Sequence, residues 1–308
     1  MGFCFDVFAA GTPVVDYFAS AKDAQLNALR LKKGGSNFMD RKSLEKICSS
    51  LKISRINAGD NARNVCEGVS YLGGKCAYAG SLAADKEGKI FSASLHKHKI
   101  ASCLQFTSGT SGKILALITP DKQRTFAVSL GNSEKYSKLE LASLKNSKYL
   151  FLTSITALSH QTLGKTTAKL MQRAKSLKVP LAFSLESPPM VKQRRKELLS
   201  LLKKFPPEIL FANEEEFASL DISAKKFLSL AKIVVLKKGS RGATVFADGK
   251  CINVPAKKVK VVDTTGAGDF FASGFLYGMC KKKNLEECGS FGTKLAARAI
   301  SRMGATLS

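Results

Sequence analysis

The 308-residue sequence has no tryptophan, only three histidines, and 24 acidic residues against 49 lysines and arginines. It has no apolar run near the roughly 20 residues that span a bilayer, so no membrane helix and no membrane partner are expected. Met1 to Ala10 carries Asp6 and no basic start, unlike a secretory leader, and the expected location is the cytoplasm. The cysteines Cys4, Cys48, Cys66, Cys76, Cys103, Cys251, Cys280 and Cys288 stand singly, with no CxxC pair and no companion histidines at metal spacing. That disfavours a disulfide framework and a zinc module, and the cysteines read as reduced thiols. His96 and His98 form a close pair, but Lys97 and Lys99 intersperse them on an expected exposed helix end, a poor setting for a metal.

The shortage of acids leaves a formal charge of +25, which suits an anionic partner. Yet the basic residues are dispersed. Lys32-Lys33, Lys192 to Lys196, Lys203-Lys204, Lys225-Lys226, Lys257-Lys258 and Lys281 to Lys283 each adjoin apolar residues at helical or strand spacing, the pattern of a solvated surface. With neither an RNA-binding sheet signature nor a basic arm, no nucleic-acid partner is expected. Hydrophobic residues make up 44% of the chain, enough for a sizeable core and too many for a disordered polymer.

Strand-like and helix-like patterns alternate. Candidate strands are Phe5 to Ala10, Lys75 to Ala79, Ile114 to Ile118, Tyr149 to Thr153, Pro180 to Leu185, Ile209 to Ala212, Ile233 to Leu236 and Thr244 to Ala247. Candidate helices are Ala62 to Leu72, Gln161 to Leu177, Val191 to Lys204, Glu214 to Leu220, Ala224 to Leu230 and a last one over Phe291 to Met303. Short apolar strands joined through helices imply parallel pairing by right-handed crossovers, an α/β fold. Two regions break the rhythm, Thr12 to Ile56 and Thr107 to Leu130, and are expected to form a small sheet projecting from the core. Asp248-Gly249 marks a tight hairpin.

The most informative segment is Asp263-Thr264-Thr265-Gly266-Ala267-Gly268-Asp269, running into the apolar stretch Phe270 to Gly278. Small residues before a buried helix expose its first-turn amides, and those orphan donors with the helix dipole make an anion site. Asp269 stands where that site begins. A carboxylate there can take a proton from a substrate hydroxyl while the amides of Ala267 and Gly268 hold phosphoryl oxygens. An aspartate that only caps the helix is the alternative.

This string resembles the C-terminal signature of the ribokinase-like (PfkB) carbohydrate and nucleoside kinases, and the resemblance extends over essentially the whole chain. Gly59-Asp60-Asn61-Ala62-Arg63-Asn64, followed by Gly73-Gly74 and Gly80 to Gly88, resembles the N-terminal signature, with Asn64 at the position that binds substrate hydroxyls. Asn213-Glu214-Glu215-Glu216 resembles the NxxE motif, which would put Glu216 on magnesium and its water shell and Asn213 near the triphosphate. The resemblance implies a three-layer α/β/α kinase domain over residues 1–308, with lid segments at about 12–57 and 107–130. It also implies ATP and Mg²⁺ as cofactors. Some members hold a monovalent cation such as K⁺, and matching positions exist here at Asp263, Thr265, Ala299, Arg302, Gly304 and Ser308.

On the nucleotide side, Lys237-Lys238-Gly239-Ser240-Arg241-Gly242 resembles the family's glycine-containing turn, and Ala296 and Ala297 are expected over the adenine. On the acceptor side, Asp16 matches the acidic residue that binds sugar hydroxyls, beside Gly59 and Asp60. The long stretch Ala21 to Lys46 and the segment Thr119 to Thr125 resemble the adenosine-kinase branch, in which the residue matching Arg124 reaches the transferring phosphate from the lid. A nucleoside is therefore the favoured acceptor; a sugar or sugar phosphate on the same scaffold, or a noncatalytic binding protein, are the alternatives. An aromatic clamp from Phe38, Tyr17 or Phe126 would favour a nucleoside. The chain is expected to be a monomer or a dimer paired through its lid sheets. Two departures stand out: Asp60 replaces the signature's second glycine, and Ser184 occupies a strand end where relatives carry Asp or Asn facing the phosphates.

Overall fold

A computed structural model describes residues 4–159 and 161–307, with the side chain of residue 161 outside that description. Its fourteen strands are β1 (Phe5–Ala10), β2 (Val14–Ser20), β3 (Ser36–Phe38), β4 (Ile53–Gly59), β5 (Cys76–Leu82), β6 (Ala101–Phe106), β7 (Gly112–Ile118), β8 (Arg124–Ser129), β9 (Ser147–Thr153), β10 (Leu181–Ser184), β11 (Ile209–Asn213), β12 (Ile233–Lys237), β13 (Ala243–Ala247) and β14 (Lys250–Val254). Nine of them form one sheet in the order β14-β13-β12-β11-β10-β9-β1-β5-β6. From β12 to β6 every neighbour is parallel, and β13 and β14 add an antiparallel edge through the hairpin at Asp248-Gly249.

The central strands read as continuous apolar runs because helices cover both faces of a parallel sheet. Phe8, Phe151, Phe183 and Phe211 are fully buried at its centre, and their neighbours divide between two apolar clusters. The most apolar helix, Ala267–Cys280, lies between the sheet, helix Asn61–Tyr71 and helix Leu285–Ile300, with ten of its residues buried. Small residues permit the close approach: Gly274 sits so near the Phe291 carbonyl that a Cβ there would lie 2.4 Å from its oxygen.

The two irregular regions supply a second sheet of five strands, β3-β8-β7-β2-β4. Several boundaries differ from the sequence reading. The segment Val191 to Lys204 is two helices, Pro188–Gln193 and Arg195–Lys204, and the last helix is Leu285–Ile300, starting at an Asn284 capping box. Strand β6 is not among the expected strands, its serine and glutamine diluting the apolar run, while the helix end expected at His96 and His98 belongs to helix Lys86–Lys97. Among the described residues no helix is long and apolar enough to cross a membrane, and no cluster of three His, Cys, Asp or Glu side chains has metal-binding geometry.

Candidate active site

Helix Ala267–Cys280 begins at Gly266, whose φ of 75° turns the chain into the helix, and the Ala267 amide donates back to the Thr264 carbonyl at 3.2 Å to close that turn. Next to this turn lies a cavity of about 800 Å³, within the range of small-molecule sites. Gly266, Ala267, Gly268 and Asp269 form one wall; Asn213, Glu216, Lys237, Gly239 and Gly242 form another; Ala296 and Ala297 close a third. Of the residues expected on the nucleotide side, Asn213, Lys237, Gly239, Ser240, Gly242, Ala296 and Ala297 line the same space, whereas Lys238 does not and Arg241 pairs with Glu214. Glycine at 268 leaves room for a lysine: a Cβ there would lie 2.9 Å from the Lys237 ammonium. That charge sits beside the helix N-terminus, so a phosphoryl group placed there would meet backbone donors and a cation together.

Asp269 is buried, and both its oxygens are held. Asn64 donates its side-chain amide to Oδ2 at 2.9 Å and Asn61 donates to Oδ1 at 3.3 Å, both from the first turn of helix Asn61–Tyr71. Burial pushes the Asp269 carboxyl up to about 7, against the opposing pull of the Asn64 amide and the Lys237 charge. A base poised near neutrality suits proton abstraction from an alcohol. Asn61 also lines the cavity; its role was not evident in the sequence, where it reads as a helix-start residue. The Asn64 side chain accepts from Arg63 at 3.0 Å through its oxygen, so its amide group links Arg63 to Asp269.

Asp16 lies on β2, opposite Asn57 of β4. A Cβ at Gly59 would lie 2.2 Å from its carboxylate, so glycine is what lets that side chain lie flat against β4. Burial raises the Asp16 carboxyl to about 7, with Arg63 opposing and Asp60 adding to the shift. Asp60 differs from expectation. It adopts φ 150°, a region that favours glycine and costs other residues about 1–3 kcal/mol. Its carboxylate turns into the protein, where it accepts from the Thr12 amide at 3.1 Å, the Tyr78 hydroxyl at 2.8 Å and the Arg63 amide at 3.1 Å. These bonds offset the strain and cap helix Asn61–Tyr71, leaving Asp60 as a brace for the acceptor side instead of a binding group.

Two arginines of the second sheet reach the C-terminal part of the chain. Arg124 pairs with Asp263 and Thr265, immediately before the Gly266 turn, and Arg55 donates to the Met303 carbonyl. Asp263 also accepts from the amides of Thr265 at 2.9 Å and Gly304 at 2.8 Å. Although burial opposes it, these donors and Arg124 hold the Asp263 carboxyl at about 2. The Asp263 carboxylate is thus committed to holding this loop and the Arg124 guanidinium together. Of the positions matched to a monovalent cation, Ser308 lies outside the described residues.

Ser184 is buried at the end of β10 and donates to the Leu185 carbonyl at 3.4 Å, away from the cavity; the polar group that reaches the cavity from this strand end is Glu186. Glu216 lines the cavity as well, but its carboxylate closes a capping box with Asn213, at 2.8 Å to the backbone amide and 2.9 Å to the side-chain amide. Tyr17 is withdrawn from any clamp: it is buried and donates to Glu87 at 2.8 Å.

A parallel sheet with an amide-rich helix start, a buried aspartate beneath it and a second sheet docked over the same edge defines a ribokinase-like phosphotransferase with an alcohol acceptor. Residues 47–308 match the model of the pfkB family carbohydrate kinases, and the chain belongs to that family. It is 26% identical over 327 residues to an adenosine kinase of Saccharomyces cerevisiae, covering 96% of this chain and 94% of the relative. Among solved structures it resembles a probable sugar kinase of Rhizobium etli (TM-score 0.91, 26% identity, 99% of this chain and 95% of the other). It also resembles the adenosine kinase of Sinorhizobium meliloti (TM-score 0.89, 25% identity, 98% and 95%).

Proposed function

We propose that this carbohydrate or nucleoside kinase transfers the γ-phosphoryl group of ATP to the hydroxymethyl group of a nucleoside. Asp269 takes the proton of the attacking hydroxyl while Asn64 and Asn61 hold the carboxylate in position. The N-terminus of helix Ala267–Cys280 and the Lys237 ammonium donate to the oxygens on which charge develops during transfer. Carboxylates on the cavity wall would hold a divalent cation that arrives with the nucleotide, and that cation would offset the charge of its phosphates. The remainder of the cavity, between Ala296, Ala297 and Lys257, takes the base and ribose of the donor.

The observation that carries the nucleoside reading is the face of the second sheet that looks toward the core. Strand register puts Asn57, Asp16, Ile114, Val128 and Phe38 in one row, and Arg55, Phe18, Ala116 and Phe126 in the next, on the same face as Arg124. Asp16 and Asn57 offer hydrogen bonds to vicinal hydroxyls. Phe18, Phe126 and the largely exposed Phe38 offer a surface for a flat base, which a simple sugar would not use. The expected closure of this sheet over the acceptor excludes water from the phosphoryl group.

The names of the similar proteins include a sugar kinase, so a sugar acceptor is the second reading. A panel of nucleosides and sugars, incubated with ATP and Mg²⁺ and read by ADP release, separates the two. Turnover with nucleosides at least tenfold above any sugar supports the first reading; the reverse order overturns it.

A further inference from the structure

Glu186 follows β10 and reaches the cavity beside Asn213, Glu216, Lys237 and Asp269. It is only 5% exposed, and neither carboxylate oxygen has a hydrogen-bond partner. A buried carboxylate without donors is costly and rare, and calls for a reason. The other carboxylates of the cavity are already engaged: Asp269 by two asparagine amides, Glu216 by both nitrogens of Asn213. Lys237 is one cation among these three acidic groups. Such a cavity is built to receive positive charge before it can receive a triphosphate, since a polyanion placed there unaccompanied would meet Glu186 with nothing between them.

We infer that Glu186 is the principal carboxylate holding the divalent cation of the metal–nucleotide complex, and that Glu216 serves mainly to cap its own helix. The inference rests on the kinase reading above. It differs from the motif-based expectation, which gives the metal to Glu216. Magnesium keeps much of its water and uses one or two carboxylates with the substrate phosphates, so a single glutamate with free lone pairs is sufficient.

The test is calorimetric binding of a non-hydrolysable ATP analogue, AMP-PCP, with excess Mg²⁺ and separately with EDTA, to the wild type, Glu186→Gln and Glu216→Gln. In the wild type Mg²⁺ tightens binding. Glu186→Gln cuts that Mg²⁺-dependent gain by about tenfold or more, the scale of losing a metal-orienting group, while metal-free binding is equal or tighter because one negative charge is gone. Glu216→Gln loses less. A wild-type Mg²⁺ gain in Glu186→Gln, or a larger loss in Glu216→Gln, overturns the inference but leaves the kinase reading intact. A wild type that binds no nucleotide under either condition overturns both. Thermal unfolding without ligand supplies the control: Glu186→Gln unfolds cooperatively at or above the wild-type midpoint, and loss of the cooperative transition overturns the inference in favour of a structural role.

Discussion

The side-chain amide of Asn64 donates to Asp269 at 2.9 Å across 205 residues of sequence. Two helix N-termini are thereby joined at one carboxylate, the first turn of helix Asn61–Tyr71 orienting a group that belongs to the first turn of helix Ala267–Cys280. With Asn61 on the second oxygen, the carboxylate has little rotational freedom and keeps an unshared lone pair on each oxygen for an incoming hydroxyl.

Replacing Asp269 by Asn removes the base but keeps its shape. The expected result is a fall in kcat of about 10²-fold or more, with little change in nucleotide affinity. In the wild type, kcat/KM should decline below pH 7, because the carboxyl titrates at about 7 and only its ionised form accepts a proton. Stability has the opposite dependence. The folded pKa lies above the unfolded value near 4, so the contribution of this group is complete at low pH and is lost as pH rises toward 7. Asp269→Asn should therefore gain melting temperature on the wild type between pH 5 and pH 8. Turnover near the wild-type rate in the Asn variant would sink the assignment.

Asn64→Ala tests the positioning partner separately. The amide favours the charged form of Asp269, so its loss raises the Asp269 pKa further. The acid limb of the kcat/KM profile should move to higher pH, and part of the lost rate should return at pH 9. An unmoved limb with a uniformly lower rate would mean that Asn64 acts only on substrate hydroxyls, the role that the motif resemblance suggests.

Lys237→Met removes the ammonium beside Gly268 while retaining the aliphatic stem. Loss of a charge-assisted contact to a phosphate is expected to raise KM for ATP by about tenfold and to lower kcat as well. Steady-state kinetics at varied ATP checks it; unchanged parameters would place the lysine outside the phosphate path.

The turn at Gly266 is legible in the sequence because its parts are contiguous. Gly266 for the positive φ, the small Ala267 and Gly268 of the helix start, and Asp269 lie in four successive positions, so local chemistry suffices to read them. The contacts that complete the site are non-local, and nothing near Asn61 in the chain announces a partner 208 residues away. Glu186 was illegible for a related reason. Within Leu185-Glu186-Ser187-Pro188 a glutamate reads as a solvated loop residue, and its burial is produced by helices and strands far along the chain. Parallel strands were found from their apolar runs, whereas the edge strand β6, mixed in character as Ala-Ser-Cys-Leu-Gln-Phe and half-solvated, carries no such run. The sequence sets Asp60 on the acceptor side but not the direction of its side chain, which Thr12 and Tyr78 fix.

Arg124 offers the last prediction, and the structure changes its terms. From sequence alone it could be an exposed turn residue whose replacement costs under about 0.5 kcal/mol. Instead its guanidinium bridges the second sheet to Asp263 and Thr265, against a carboxylate that is almost completely buried. A forked, permanently charged group can contact both partners at once, and lysine can reproduce the charge but not the fork. This places Arg124 next to the Gly266 turn before any nucleotide arrives. When a γ-phosphoryl group occupies the adjoining amides, the guanidinium has a second anion within its swing, and exchange from Asp263 to phosphate would couple docking of the sheet to chemistry. Arg124→Lys should accordingly lower kcat/KM for the preferred acceptor by about tenfold or more, in line with loss of an oriented donor to the transferring group. It should also cost about 1 kcal/mol of stability through the weakened hold on Asp263. Measuring both quantities on the same variant separates the roles. A loss of rate with the stability cost supports a group that serves the docked sheet and the phosphate; a loss of stability with unchanged kcat/KM leaves Arg124 as a clamp between sheet and core, outside the reaction.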